Sequence, residues 1–202
     1  MYLGIEPAGC SRYTSRPMRK LLPWTVALLG LALVAVWWTT SVQSYREQRF
    51  DAIIRQASQR YGVEPALIKA VIWRESRFNA GARGGAGERG LMQIQEMAAI
   101  DWSSSQGIVG FEAEHLIDPT TNIMAGTWYL SRLSQRYQSA DNPLAYTLAD
   151  YNAGRSNVRK WIKFPGADTN SATFLEHIEF PSTRHYVGSV LERLEHYRSQ
   201  PR

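Results

Sequence analysis

The sequence predicts a mainly α-helical protein in which a single transmembrane helix precedes a compact helical domain. Apolar residues recur at the i, i+3, i+4 spacing of helix faces, and no stretch alternates convincingly with the period of two that marks a half-buried strand. Proline, asparagine and glycine stand where these helices would begin and end. An uncharged apolar run near the N-terminus supplies the transmembrane helix.

That apolar run predicts a membrane anchor over residues 21–40. A helix of this length spans roughly the 30 Å hydrocarbon core of a bilayer. Trp24 lies near one end and Trp37 and Trp38 lie at the other, where indole rings favour the membrane interface. Residues 1–20 are basic, so the positive-inside rule predicts a cytoplasmic tail, a single pass through the inner membrane and a periplasmic domain.

A cleaved signal peptide is the alternative interpretation of this segment. The stretch Val42–Ser44 offers small residues at the spacing of a cleavage site. The apolar run is longer than the core of a usual signal peptide, and no A-x-A sequence precedes a boundary, so an uncleaved anchor is favoured. Both interpretations export the domain, and residues 41–49 are expected to link it to the apolar run.

Charge and cysteine content exclude several classes of protein. The formal net charge is +5, but four of the 23 basic residues and one of the 18 acidic residues lie before residue 45, so the body is nearly balanced and a nucleic-acid-binding surface is not indicated. Cys10 is the single cysteine, which excludes an internal disulfide. The four histidines form no metal-binding pattern, and no metal or other cofactor is expected.

The remaining chain, residues 50–198, contains closely spaced helix signals. In chain order these are a stop at Gly62, starts at Pro65, Asp118–Pro119 and Asn142–Pro143, a stop at Gly154, and an apolar stripe formed by Val187, Val190, Leu191 and Leu194. We therefore expect layers of helix packed on helix.

One of these helices carries a carboxylate in line with its apolar stripe. Ile68, Val71 and Ile72 fall at i, i+3 and i+4, and the i+7 position is Glu75. The simple interpretation is a solvated glutamate at a fraying helix end, as most charged residues are exposed. The alternative is a carboxyl group at the rim of the core, whose pKa burial would raise until it acts as a general acid near neutral pH.

A loop rich in glycine follows at residues 80–90. A flexible linker seldom lies between two amphipathic helices of one domain. Gly85, Gly87 and Gly90 match the G-x-G-x-x-G dinucleotide fingerprint, but that fingerprint requires a preceding strand and a βαβ unit, and here a helix precedes it. A dinucleotide site is therefore not expected.

Four short motifs carry a family resemblance. They are ESRFN at 75–79, GLMQI at 90–94, DYNAG at 150–154 and PSTRHYV at 181–187. In this order and spacing they resemble the motifs of the lytic transglycosylase SLT domain, a member of the goose-type lysozyme-like superfamily. The resemblance covers about residues 50–195 and implies a lysozyme-like catalytic domain over residues 50–198.

The resemblance also implies an activity. Family members cleave the β-1,4 bond between N-acetylmuramic acid and N-acetylglucosamine in peptidoglycan without water, and leave a 1,6-anhydro sugar end. Carried onto this sequence, Glu75 is the catalytic acid/base. One carboxyl group can protonate the leaving oxygen and then accept the proton of the C6 hydroxyl.

Five further residues receive substrate-binding roles by the same resemblance. Met92 and Gln93 would line the sugar cleft, Tyr151 and Asn152 would contact substrate or orient the acid, and Tyr186 would lie beside it. From the residues alone, Met92 fits a core position, Tyr151 a core aromatic with a bonded hydroxyl, and Asn152 a helix end.

The sequence departs from the family pattern at four positions. Ala80 stands where proline is frequent, and Gly84 where a serine that helps bind the muramyl side is frequent. Glu88 takes the place of an alanine and adds a second carboxylate to the loop. This carboxylate could perturb Glu75, but from the usual exposure of glutamate it is expected to face solvent. Ser182 replaces a common glutamate.

Two rival functions and several partners stay open. A hydrolytic lysozyme-like muramidase would use the same acid with water as acceptor, and a non-catalytic peptidoglycan-binding module would retain only the cleft. The expected partners are peptidoglycan glycan strands, the inner membrane and, for an enzyme that opens the wall locally, a secretion or conjugation complex. General wall turnover is the other role.

Overall fold

A computed structural model describes residues 22–200, so the predicted basic tail at 1–20, with Cys10, lies outside the described residues. The chain divides into two units, one up to Ser44 and one from Tyr45 onward. The predicted helical fold is confirmed: from residue 22 to residue 200 the ordered elements are helices, and no sheet forms.

The first unit contains most of the first helix, α1 (Leu22–Gln48). Its apolar side chains are exposed, including Trp24, Trp37 and Trp38. It is the one helix in the described part of the chain that is long and apolar enough to cross a membrane. The segment 41–49, which we expected to be a linker, continues this helix as far as Gln48.

The second unit contains the other eight α-helices of the described chain and one 3₁₀ helix. These are α2 (Asp51–Tyr61), α3 (Pro65–Ser76), α4 (Glu96–Ser105), the 3₁₀ helix Ala113–Ile117, α5 (Pro119–Arg136), α6 (Pro143–Ala153), α7 (Arg155–Trp161), α8 (Ser171–Glu176) and α9 (Pro181–Arg198). The apolar core lies between them.

The helices start and stop at the predicted residues, although one predicted cap does not form. Gly62 ends α2 at φ 68°, a left-handed conformation that favours glycine. Prolines occupy the first turns of α3, α5 and α6. Asp118 caps α5 by accepting a hydrogen bond from the Thr121 N–H. Asn142 precedes α6, but its side chain makes no capping hydrogen bond.

The centre of the core is α3. Its stripe residues Ile68, Val71 and Ile72 are fully buried, and the helix packs against α9. From α9, Val187 and Val190 are buried in the same core. Because one face of α3 is fixed in this way, the side chains of its last turn have defined positions at the edge of the core.

Candidate active site

The chain leaves α3 through an unusual turn. Arg77 and Phe78 follow the helix with φ 52° and 60°, left-handed conformations that cost free energy for residues other than glycine. The Ser76 hydroxyl, in the last helical turn, donates to the Leu91 carbonyl at 2.8 Å. Phe78 is buried. These contacts hold the end of α3 against the loop that follows.

Glu75 lies at this end of α3, next to a tyrosine of α9. The Tyr186 hydroxyl donates a hydrogen bond of 2.6 Å to Glu75 Oε1. Burial raises the pKa of Glu75 to about 7, while the Tyr186 hydrogen bond and the charge of Arg74 oppose the shift and the charge of Glu88 adds to it. Part of the Glu75 population therefore holds a proton at neutral pH.

Glu75 opens into a cavity of about 330 Å³, within the range of ligand-binding sites. The lining comes from the end of α3, the loop before α4, the start of α4, the middle of α5 and the end of α6. It comprises Glu75, Glu88, Gln93, Ile94, Gln95, Ala98, Tyr129, Asp150, Tyr151, Asn152, Ala153 and Gly154. Carboxyl, amide and phenol groups dominate this lining, and such groups can form hydrogen bonds to a ligand.

Gln93 enters the cavity from the loop before α4. Its backbone is left-handed, with φ 46°. Its Nε2 donates to two backbone carbonyls, those of Gly90 at 2.8 Å and Ala82 at 3.1 Å. The side-chain amide is therefore held in one orientation by the loop, which is itself closed by antiparallel bridges from Arg89 to Arg83 and to Ile94.

Tyr151 and Asn152 reach the cavity from the last turn of α6. The Tyr151 hydroxyl donates to the Met92 carbonyl at 2.8 Å, and Asn152 Oδ1 accepts from the Thr183 hydroxyl at 2.8 Å. Burial raises the pKa of Tyr151 well above its ordinary value. The phenol thus remains protonated as a hydrogen-bond donor, and it ties α6 to the loop.

The structure brings Glu75, Gln93, Tyr151 and Asn152 together in the cavity lining, and joins Tyr186 to it through the hydrogen bond to Glu75.

Met92 lies elsewhere than the resemblance implied. Its side chain is fully buried and is not part of the lining, and a Cβ at Gly126 would lie 2.5 Å from its sulfur. Met92 is a core residue that supports the cleft through its carbonyl.

Two of the departures from the family pattern lie in or beside the cavity. Gly84 and Glu88 face each other in the glycine-rich loop, and Glu88 is half-buried and lines the cavity beside Glu75, whose pKa its charge helps to raise. Ser182 is exposed at the start of α9, and Ala80 packs against the core.

Two polar residues of this region were not found from the sequence. Asn122 of α5 is fully buried, and its amide bonds Met92 N, Arg89 O and Leu116 O at 2.8–2.9 Å. Asp150 of α6 is buried, and its Oδ2 forms an ion pair with Arg136 Nη1 at 3.1 Å. The signal was available for Asn122, since an asparagine in line with the apolar face of an amphipathic helix must find partners.

No group of three or more histidine, cysteine, aspartate or glutamate side chains between residues 22 and 200 could hold a metal ion. The cavity lining itself offers carboxyl, amide and phenol groups, which can form hydrogen bonds and exchange protons. Fold and site together define a class: an α-helical domain that presents a sheltered carboxylic acid, Glu75, at the end of a polar cleft.

A match between the sequence and a protein-family model identifies the family. The family model described as "Transglycosylase SLT domain" matches residues 52–174. The chain belongs to this family. The match extends from α2 to α8 and thus includes Glu75 and the whole loop before α4.

Curated relatives agree with this assignment. The soluble lytic murein transglycosylase of Escherichia coli K12 is 29% identical over 211 residues, which cover 98% of this chain and 32% of the relative. The membrane-bound lytic murein transglycosylase C of Klebsiella pneumoniae is 40% identical over 119 residues, which cover 56% of this chain and 33% of the relative. The chain spans about a third of the length of these relatives.

Solved structures share the fold. The 70-kDa soluble lytic transglycosylase of Escherichia coli superposes with a TM-score of 0.67 at 29% identity, over 83% of this chain and 29% of that one. A Pseudomonas aeruginosa lytic transglycosylase, solved as an inactive glutamate-to-glutamine mutant, superposes with a TM-score of 0.66 at 28% identity, over 83% of this chain and 28% of that one. The same 70-kDa enzyme has also been solved with bulgecin A.

Proposed function

We propose that this chain is a peptidoglycan lytic transglycosylase that uses Glu75 as its acid and base. The observation that supports this most strongly is the state of Glu75: burial raises the pKa of this carboxyl to about 7 at the end of a polar cavity. Relatives named lytic murein transglycosylases supply the substrate class and the reaction. One solved relative is inactive with glutamine in place of a glutamate, which agrees with the role of Glu75.

The reaction needs one carboxyl group in two protonation states. Glu75 gives its proton to the oxygen that leaves C1 of N-acetylmuramic acid, and that C1–O bond breaks. The Glu75 carboxylate then accepts the proton of the C6 hydroxyl as O6 bonds to C1, which closes the 1,6-anhydro ring. No water is consumed, and Glu75 ends protonated for the next cycle.

A second catalytic carboxylate is not required by this scheme, because the acetamido group of the substrate can stabilise the positive charge at C1. Gln93, Tyr151 and Asn152 are proposed to bind the sugar hydroxyl and amide groups along the cavity. Tyr186 is proposed to hold Glu75 in position through its 2.6 Å hydrogen bond. Met92, in the core, is proposed to support the cleft and not to contact substrate.

The reaction product provides the direct test. When the full chain, solubilised in detergent, digests purified murein, we expect mass spectrometry to show muramyl ends 18 Da lighter than reducing ends, as anhydro-ring formation requires. Reducing ends would assign the hydrolytic muramidase instead. The specific observation that favours this second function is Glu88, a carboxylate in the same cavity that could activate water.

Tyr186→Phe is expected to raise the pKa of Glu75. The Tyr186 hydroxyl donates to the carboxylate and so favours its ionised form, and its removal leaves that form less stable. The alkaline limb of the pH–rate profile should therefore move to higher pH, by about one unit. Tyr146→Phe is the control, because the Tyr146 hydroxyl has no partner among residues 22–200. An unmoved alkaline limb in Tyr186→Phe would contradict the role given to the tyrosine.

For location, we propose that α1 anchors the protein in the inner membrane as a single span, with the domain in the periplasm. An exposed apolar helix of sufficient length and relatives named membrane-bound support an anchor. A small wall-cleaving domain held at the membrane suits the opening of a local gap, so a secretion or conjugation complex is the proposed partner.

A further inference from the structure

Gly84 and Glu88 are in direct contact in the glycine-rich loop, which forms one side of the cavity. The chain turns back between them, because the Gly84 N–H donates to the Glu88 carbonyl at 2.8 Å and the Ala86 N–H donates to Glu88 Oε2 at 3.0 Å. A Cβ at Gly84 would collide with the Glu88 carboxylate and would lie 2.9 Å from Gln93 Oε1. The missing side chain at position 84 leaves the space that the Glu88 carboxylate occupies.

This carboxylate makes the cavity anionic. The lining contains Glu75, Glu88 and Asp150 and no lysine or arginine. Asp150 forms an ion pair with Arg136 at 3.1 Å, and burial keeps Glu75 largely in its acid form below neutral pH. Glu88 has no ion-pair partner in the described part of the chain. It therefore brings an uncompensated negative charge to the cavity.

A buried acceptor strengthens this electrostatic character. The side chain of Asp150 is 0% exposed, and its Oδ1 has no hydrogen-bond partner among residues 22–200. A positively charged ligand group is attracted to such a lining more strongly than a neutral group is. Anionic substituents, in contrast, would be repelled from the wall that Glu88 forms.

We propose that Glu88 is a specificity-determining residue that contacts the substrate and selects glycan strands in which a glucosamine carries a free amino group in place of its acetamido group. This inference rests on the proposed function. An ammonium group bonds a carboxylate through a charge-assisted hydrogen bond, about twice as strong as the bond from a neutral amide N–H. Among the groups of a wall glycan, the free amine is the one that supplies a positive charge at the sugar ring itself.

Binding to an inactivated chain tests this selection. Full-length Glu75→Gln protein in detergent is titrated calorimetrically with peptide-free glycan strands, either fully N-acetylated or partly de-N-acetylated, so that amines of stem peptides are absent. We expect the de-N-acetylated strands to bind about fivefold more tightly. Adding Glu88→Gln should remove this preference, since glutamine keeps the shape and the acceptor for the Ala86 N–H but removes the charge.

Two further variants test whether the binding preference depends on the Glu88 carboxylate itself. Glu192→Gln makes the same chemical change at an exposed residue outside the cavity lining, and should retain the fivefold preference. Gly84→Ala displaces the Glu88 carboxylate by collision, and should lose the preference as Glu88→Gln does. Equal binding of both strands by the Glu75→Gln protein, or a preference that survives Glu88→Gln, would overturn the inference.

These outcomes are separate from those of the proposed function. Cleavage is measured on the unchanged chain with fully acetylated murein, and binding is measured without turnover. A chain that cleaves murein but shows no Glu88-dependent preference retains the proposed function and loses only the specificity. A chain that does not cleave murein loses the proposed function, and the substrate specificity with it.

Discussion

A Glu75→Gln variant is expected to cleave murein about a thousandfold more slowly than the unchanged chain. Glutamine keeps the volume of the side chain and can still accept the hydrogen bond that Tyr186 donates at 2.6 Å. It cannot give a proton to the leaving oxygen, nor take one from the C6 hydroxyl. The rate of release of soluble muropeptides, with Glu192→Gln as a surface control, measures the effect. Equal rates for Glu75→Gln and the parent would exclude Glu75 as the acid and base.

The same substitution should increase stability at alkaline pH. The pKa of Glu75 is about 7 in the folded chain against 4.5 for an unperturbed glutamate, so the folded state loses stability as pH rises from about 4.5 to about 7. Once the carboxyl is ionised, the loss reaches about 3 kcal/mol. Glutamine has no such titration. Glu75→Gln should therefore melt at a higher temperature than the parent at pH 8, and at a similar temperature at pH 4.

A Glu75→Gln variant that cleaves more slowly but is more stable at pH 8 would identify a carboxyl that is kept for chemistry at the expense of stability. Replacing a solvated glutamate would give no pH-dependent gain in stability, because an exposed carboxylate titrates alike in folded and unfolded chains. Thermal unfolding of both proteins at the two pH values separates these cases. A difference in melting temperature that is the same at pH 4 and pH 8 would contradict the burial of Glu75.

Local signals account for what the sequence predicted well. Helix starts at Pro65 and Pro119, and the stop at Gly62, depend on backbone groups within a few residues, and the structure has them at the predicted positions. The direction of Glu75 also follows locally: once the α3 stripe is buried, helix geometry fixes where the residue one turn after Ile72 points.

The form of one loop and contacts between distant segments account for what the sequence did not predict. The expectation that Glu88 faces solvent came from the usual exposure of glutamate, but its direction is set by the turn that closes onto Gly84. Met92 stands one residue before Gln93, yet its side chain packs against Gly126 of α5. The sequence motif groups both residues, and only the packing of α5 on the loop assigns one to the core and the other to the cavity.

Asn122 is the residue on which that packing depends most directly. The amide of Asn122 is fully buried in α5 and joins three segments: it accepts from the Met92 N–H at 2.8 Å and donates to the carbonyls of Arg89 at 2.8 Å and Leu116 at 2.9 Å. A Cβ at Gly90 would collide with this amide, so the loop lies directly against it. The loop holding Gln93 is thus positioned by a residue outside the four sequence motifs.

Asn122→Ala is expected to lower the free energy of unfolding by about 3–5 kcal/mol, because one N–H and two carbonyls lose their partner in a buried place and a small void remains. Urea denaturation measures the loss, and Asn157→Ala is the control, since Asn157 makes one side-chain bond, to the Ala153 carbonyl, and is half-buried. That control should lose about 1 kcal/mol. Because the loop positions Gln93, cleavage by the folded fraction of Asn122→Ala should also fall. A variant that loses less than the Asn157→Ala control would show that α5 and the loop are joined by other contacts.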